Sequence, residues 1–480
     1  MNNNLANHKT KIVCTIGPSS GSIHALSELI MAGMNVARLN LSHGTLAGHK
    51  RMIQHIRSLA SRLNRTTSIM IDLPGTKIRV GNLKSGSVVL KRNETVILAE
   101  GSASDNESII PVEYEHFHDL VPEKGTVYLN DGFIQLKVQK IHRGRVTCRV
   151  VTGGLLASHK GLNIPGAKLG VSGVTGEDLR LIDIFLNQGI DMFCVSFVER
   201  MEDIQKVKRF INSRGKQASI IAKIERSNAV KHIDGILDAA DGIMVARGDL
   251  GVEIPIEQVP VVQKMLIRKA NMRGKVVITA TQMLLSMTEH IRPTRAEVTD
   301  VANAVLDGTD AVMLSEETAT GRYPVETVRM MAKIAGISER KRKEFGCLPA
   351  AGIAKNQGKD KHRAVEDVLS YDVQYAIENI RISLAVVYAG TGGIVRAISR
   401  FKPDCWIISV TGDKQAMHFL NLSYGVHPFL MQGQKTERHE DIIKKITRYG
   451  LAKSGDKILL VEGTLRKKDD HTNSLSIITI

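Results

Sequence analysis

Three short segments end in groups suited to moving a phosphoryl group: Ile221–Arg226 (I-A-K-I-E-R), Met244–Glu253 (M-V-A-R-G-D-L-G-V-E) and Ile278–Met283 (I-T-A-T-Q-M). Each starts as an apolar, strand-like run and stops on polar side chains: Lys223 and Glu225, then Arg247 and Asp249, then Thr281. Glu225 and Asp249 offer the hard oxygens that Mg²⁺ prefers, leaving substrate oxygens and water to complete an octahedron. Lys223, one residue from Glu225, offers a point charge for a migrating phosphoryl oxygen or a developing enolate. Gly248 permits close backbone approach beside Asp249, so N–H groups at a following helix start could hold a carboxylate. The plain alternative is a pair of rim salt bridges, Lys223 with Asp249 and Arg247 with Glu225.

Stepping outward along the chain, strand-like runs recur at Lys11–Ile16, Asn35–Leu39, Ser68–Asp72, Met192–Phe197, Ser219–Ile224, Gly242–Ala246, Lys275–Ala280 and Asp310–Leu314. Amphipathic stretches such as Ile23–Met31, Glu177–Gln188 and Met201–Asn212 lie between them. Eight strands in βα alternation is what a (β/α)₈ TIM barrel requires. In a barrel the strand ends share one rim, which adds Arg38, Asn40, Ser42, Asp72 and Ser196 to the three segments above. The strands start about 23 to 35 residues apart except between the third and fourth, where more than 100 intervene.

That interval, residues 75–167, alternates in the β manner between Gly, Asn and Asp turns, as in Thr95–Leu98, Thr126–Leu129, Ile134–Val138 and Val146–Val151. It reads as a small β-barrel domain set above the third strand, placed to close as a lid over the barrel's C-terminal mouth. The barrel itself is expected over 1–74 and 168–345. A polar, basic stretch at Ile337–Arg363 reads as a linker. Beyond it, over 346–480, a helix near Ala364–Ile380 and strands Leu384–Tyr388, Trp406–Val410, Val426–Phe429, Lys457–Glu462 and Ser474–Ile480 predict a separate α/β domain.

Composition narrows the functional classes. The net charge of 65 − 49 = +16 raises the question of nucleic acid, but the basic residues are spread out and only 4% of residues are aromatic, so stacking platforms are scarce. No nucleic acid and no membrane partner are expected; the charge serves as a bias towards small anions. Without a charged-then-apolar leader or a bilayer-length apolar run, the expectation is a cytoplasmic protein. Five separated cysteines without a C-x-x-C pair read as reduced thiols. His116 and His118, in Glu115–Asp119, look like metal ligands but fall in the insert. No G-x-x-x-x-G-K-[ST] loop is present, so nucleotide phosphates must be held another way.

Taken in order, Thr10–Pro18 (T-K-I-V-C-T-I-G-P), Ala37–Gly44 (A-R-L-N-L-S-H-G), Gly161–Pro165 (G-L-N-I-P), the three segments above, Pro293–Glu297 (P-T-R-A-E) and Asp300–Glu317 resemble the signatures of the pyruvate kinase family. The resemblance is dense from about residue 9 to 335 and looser beyond, chiefly at Val395–Pro403. It implies transfer of the phosphoryl group of phosphoenolpyruvate to ADP in glycolysis, with Mg²⁺ (or Mn²⁺) on Glu225 and Asp249. It further implies that Lys223 and Arg38 hold the transferring group and that Gly248, Asp249 and Thr281 bind the three-carbon acid, with Thr281 near the carbon that is protonated. Arg79, Lys160, Asn40 and His43 would meet the nucleotide, with Ser196 and Arg295 in support. A regulatory last domain and a homotetramer follow from the same likeness.

Two departures carry further expectations. Family members activated by fructose bisphosphate have a hydroxyl-rich phosphate loop where this chain has Ala389-Gly390-Thr391-Gly392-Gly393-Ile394, so a monophosphorylated effector or none is expected. The family's monovalent-cation pocket maps to Asn40, Ser42, Asp72 and the Leu73 carbonyl. Relatives that work without K⁺ resemble this chain in Leu73, Lys77 and Val80, so an ammonium from Lys77 is expected to replace the cation's charge and make K⁺ dispensable; Pro74 and Thr76 match neither pattern. Two other classes remain open on the bare physics. A Mg²⁺-enolate aldolase or mutase would need the same carboxylates but no nucleotide-directed Arg79 and Lys160. A non-catalytic nucleic-acid binder would show salt-sensitive retention and no turnover.

Overall fold

The computed structural model describes residues 5–106, 108–167, 173–345, 361–388, 390–430, 439–466 and 469–480. Eight parallel strands close into a barrel: Lys11–Thr15, Val36–Asn40, Ser68–Asp72, Met192–Val195, Ser219–Ile224, Gly242–Ala246, Val276–Ala280 and Ala311–Leu314. These are short runs buried on both faces, as strands enclosed by helices must be. Their inward side chains, including Val13, Met70, Cys194, Ile221, Met244 and Met313, fill the barrel interior. Helix starts are set locally: Ser22, Thr45, Thr175 and Thr294 each accept a backbone N–H from the first turn of the helix they precede.

The insert leaves the rim after Asp72 and returns through Leu162–Asn163. Its strands form one six-stranded sheet and two two-stranded ribbons around a separate apolar core that includes Phe117, Leu129, Leu136 and Val150. Both hinge chains run side by side, Arg79 bridged to Gly161 and the Leu162 N–H donating to the Ile78 carbonyl at 2.9 Å. Gly75 begins the hinge at φ 62°, and a Cβ there would lie 2.9 Å from the Ser196 Cβ, so both conformation and space require glycine.

The last domain is a five-stranded sheet, in which Val426–Leu430, Trp406–Thr411, Leu384–Tyr388 and Lys457–Arg466 run parallel and Asp469–Thr479 joins as an antiparallel edge. It closes the bottom of the barrel. Phe419 and Leu422 join the barrel's interior cluster, the Lys11 ammonium donates to the Val426 carbonyl at 2.6 Å, and buried Asp310 receives the Lys402 ammonium at 2.5 Å. The expected linker begins too early. Helix Pro324–Lys341 runs on through Ser338 and Glu339, because the Glu339 carboxylate is buried and accepts the backbone N–H groups of Lys9 and Thr10 at 2.8 and 2.6 Å. The rest of that stretch, residues 346–360 with Cys347, lies outside the described residues, as does Ala389 of the expected effector loop. The four described cysteines are free and buried. Among the described residues no helix is long and apolar enough to cross a membrane.

Candidate active site

The polar strand ends meet at the barrel's C-terminal rim. The Lys223 ammonium lies 2.9 Å from Glu225 Oε1 and 3.4 Å from Asp72 Oδ1, and donates to the Ser196 hydroxyl at 2.8 Å. Arg38, from the second strand, donates through Nε to Asp72 Oδ2 at 2.7 Å and through Nη1 to the Thr15 hydroxyl at 2.8 Å. Ser196 in turn donates to the Leu73 carbonyl at 2.7 Å. Two cations and two carboxylates from three different strands therefore share one buried cluster.

Burial works against the charge on Lys223, yet Asp72 and Glu225 outweigh it and raise its pKa above the usual lysine value. Asp72 is also opposed by burial, but Lys223 and Arg38 hold its carboxyl below the ordinary range. Glu225 differs. Its burial outweighs Lys223 and the Phe197 N–H at 2.6 Å, the nearby charge of Asp249 adds to the effect, and its pKa is raised. A buried carboxylate short of positive charge, facing a second carboxylate, is a fit for a hard divalent cation.

Asp249 stands in the first turn of helix Arg247–Glu253, and its Oδ1 receives the Lys77 ammonium at 3.1 Å. Thr281 follows the seventh strand at φ 70°, with Gln282 next at 52°, a left-handed pair that costs a β-branched residue on the order of 1–3 kcal/mol. Arg247 holds that strain in place, donating to the Ala280 carbonyl at 3.0 Å and the Thr281 carbonyl at 2.6 Å while pairing with Asp300 at 2.6 Å. The Thr281 hydroxyl accepts the Gly248 N–H at 2.8 Å.

The plain rim pairing is therefore not what forms. Lys223 takes Glu225 and Asp72, and Arg247 turns away to Asp300. Arg247 braces the site, a role its place beside Asp249 did not reveal.

Around this centre, Asn40 accepts the Ser42 N–H at 3.1 Å, and Arg79 donates to the His159 carbonyl at 3.1 Å across the two hinges. Partial burial and the cations Arg79, Arg38 and Lys77 lower the pKa of His43, so these groups share one positive corner. Lys160 is exposed at the return hinge, and Arg295 is exposed at the start of helix Arg295–Leu306. Where a monovalent-cation pocket is expected, Asp72 is engaged by Arg38 and Lys223 and the Leu73 carbonyl by Ser196; Lys77 faces Asp249. On the lid, His116, His118 and Asp119 bring one donor atom each within 4.8 Å of one another.

Comparison with known proteins gives this constellation a family. Residues 7–328 match the family described as "Pyruvate kinase, barrel domain" and residues 367–478 match "Pyruvate kinase, alpha/beta domain". The chain is 46% identical over 476 residues to the pyruvate kinase of Thermococcus litoralis, covering 99% of each. It is 40% identical over 477 residues to that of Geobacillus stearothermophilus, covering 98% of this chain and 80% of that one. The crystal structure of a pyruvate kinase from Cryptosporidium parvum superposes with a TM-score of 0.89 at 34% identity, covering 98% of this chain and 96% of that one. The chain belongs to the pyruvate kinase family of phosphotransferases.

Proposed function

We propose that this enzyme transfers the phosphoryl group of phosphoenolpyruvate to ADP, giving pyruvate and ATP in glycolysis. The observation that carries the reading is the buried cluster of Lys223 between Glu225 and Asp72, with Arg38 on the far side of Asp72. It presents fixed positive charge where three phosphoryl oxygens would pass, and it is held in place before substrate arrives. Glu225 and Asp249 would hold Mg²⁺ (or Mn²⁺), which when bound would supply positive charge to offset that of the substrate. Lys223 and Arg38 grip the phosphoryl oxygens, and the Gly248 N–H, Asp249 and Thr281 fix the three-carbon acid. Thr281 lies nearest the methylene carbon that takes up a proton when the enolate becomes pyruvate. Arg79, Lys160, Asn40 and His43 receive the nucleotide phosphates as the lid closes.

Lys77 makes added K⁺ dispensable: its ammonium lies at the rim, 3.1 Å from Asp249 Oδ1, and adds positive charge to the mouth where the phosphate reacts. The enzyme works in the cytoplasm as a homotetramer, and its last domain takes a monophosphorylated effector or none. The test is consumption of phosphoenolpyruvate with and without ADP, followed through lactate dehydrogenase. ADP-dependent pyruvate formation supports the kinase, whereas carbon–carbon cleavage without ADP would move the assignment to an aldolase. Size-exclusion chromatography with light scattering tests the tetramer.

A further inference from the structure

Lys77 reaches the rim from the first hinge by an unusual route. Its stem crosses the second hinge at Gly161, where a Cβ would stand 2.7 Å from the Lys77 Cε and 3.4 Å from its ammonium. Only a residue without a side chain leaves that path open. The ammonium at its end lies 3.1 Å from Asp249 Oδ1 on the barrel and 3.9 Å from Asp131 Oδ1 on the lid. Asp131 belongs to the turn Asn130-Asp131-Gly132, whose φ values of 52°, 54° and 90° fold it tightly between strands Thr126–Leu129 and Ile134–His142. The turn packs towards the barrel: a Cβ on Gly132 would be 3.2 Å from Val252 Cγ2 in the helix that carries Asp249. The Asn130 N–H donates to the Gly161 carbonyl at 3.2 Å, so one glycine anchors the turn and clears the lysine's path.

We propose that Gly161 and Asp131 are positioning residues that make Lys77 a latch between lid and rim: the ammonium neutralises Asp249 until a divalent cation arrives there, then stays with Asp131 and draws the lid turn to the mouth. The inference rests on Asp249 being a ligand of that cation. A pair whose side chains are each about a quarter exposed is still reached by solvent, with an effect of roughly two- to five-fold on an equilibrium, which suits a contact that must be given up. Asp131 has no contact with the reacting atoms in this scheme; it acts through Lys77.

The test is Mn²⁺ binding to the purified, metal-free enzyme, read by electron paramagnetic resonance without turnover. Gly161→Ala keeps every charge but pushes the stem aside, and its backbone is not in the left-handed region, so alanine fits the fold. It should tighten Mn²⁺ binding about two- to five-fold, and Lys77→Met should do the same. Asp131→Asn should weaken binding by a similar factor, because the lysine then has only Asp249. In the Lys77→Met background Asp131→Asn should have no effect. Unchanged or weaker binding in Gly161→Ala, or an Asp131 effect that survives without Lys77, overturns the latch. Asp249→Asn separates the two assignments: if it leaves Mn²⁺ affinity untouched, the metal assignment beneath the latch is wrong; if affinity falls while Gly161→Ala is silent, the latch alone fails.

Discussion

Lys223→Met removes the one cation shared by both buried carboxylates of the centre, and the structure separates its effect on rate from its effect on stability. Asp72 keeps two contacts from Arg38, at 2.7 Å through Nε and 2.5 Å through Nη2, so it remains paired. Among the described residues, Glu225 keeps only the Phe197 N–H at 2.6 Å. Breaking a buried ion pair from one side costs on the order of 3–5 kcal/mol, and here the loss falls on Glu225. A divalent cation at Glu225 offsets part of it, so Mg²⁺ should raise the melting temperature of the variant more than that of the native enzyme.

The rate argument is independent. In the proposed reading Lys223 donates where phosphoryl charge develops, and loss of one such preorganised group should lower kcat by about 10²–10³. In that reading the ground-state carboxylate of phosphoenolpyruvate is held by backbone N–H groups at Gly248 and Asp249 and by the Thr281 hydroxyl, none of which the substitution touches, so KM should move by no more than about threefold. Steady-state assays coupled to lactate dehydrogenase, at fixed Mg²⁺, read both constants. A kcat within about twofold of native, or a loss confined to KM, would remove the lysine from the chemical step.

Three further expectations follow from other parts of the molecule. With Mg²⁺ and ionic strength held constant, the native enzyme should retain most of its activity without K⁺, and Lys77→Glu should become K⁺-dependent; a native enzyme that is silent until K⁺ is added rejects the substitution. Micromolar fructose 1,6-bisphosphate should leave activity unchanged, because the Glu366 carboxylate sits 3.2 Å from where a Gly393 Cβ would be and repels a second phosphate; several-fold activation in the same assay would contradict this. His427, against the barrel floor, has its pKa lowered to about 4 by burial and by Lys11 and Arg65. Above the unfolded value of about 6.5 the group is neutral in both states and costs nothing. As pH falls from there towards 4 the unfolded chain takes the proton first, so up to about 3 kcal/mol of stability is lost. Urea melts at pH 7 and pH 4.5 should show that loss shrinking in His427→Phe, and an equal loss in both proteins would exclude the histidine as its source.

Why the barrel was so legible in the sequence is a matter of burial. Runs such as Ser68–Asp72, Ser219–Ile224 and Gly242–Ala246 are enclosed on both faces, so their apolar blocks begin and end where the strands do. The lid gives weaker signals. Asn82–Leu83 and Ala103–Ser104 are two-residue pairs that no periodicity can mark, and Ile109–Val112 carries Pro111, which argues against a strand in any reading from pattern alone. Ile337–Lys341 reads as linker because its buried Glu339 carboxylate finds its partners about 330 residues away, at Lys9 and Thr10 just before the first strand. Local sequence has no means of announcing such a contact.

The same distinction runs through the site. That Lys223, Glu225, Asp249 and Thr281 share a rim follows from each lying at or just beyond the end of a strand, and strand ends can be read. Which charge meets which cannot. Lys77 and Asp249 are 172 positions apart, and Arg38 and Asp72 are 34 apart on neighbouring strands. Arg247 and Asp249 are adjacent enough to invite a common role, yet the helix that starts between strand and loop sends Arg247 outward to Asp300 and Asp249 inward to Lys77. A position two residues along a strand keeps its face, but across a strand-to-helix junction the period changes from 2 to 3.6 and the faces part. Asp131 is silent in the sequence for a related reason: it lies on a turn of the insert with no chemistry of its own, and its partner appears only once the fold carries that turn to within 3.9 Å of the Lys77 ammonium on the first hinge. Residues that do chemistry at strand ends can be found by type and spacing; residues that decide where those groups point are found only through the chain's long-range packing.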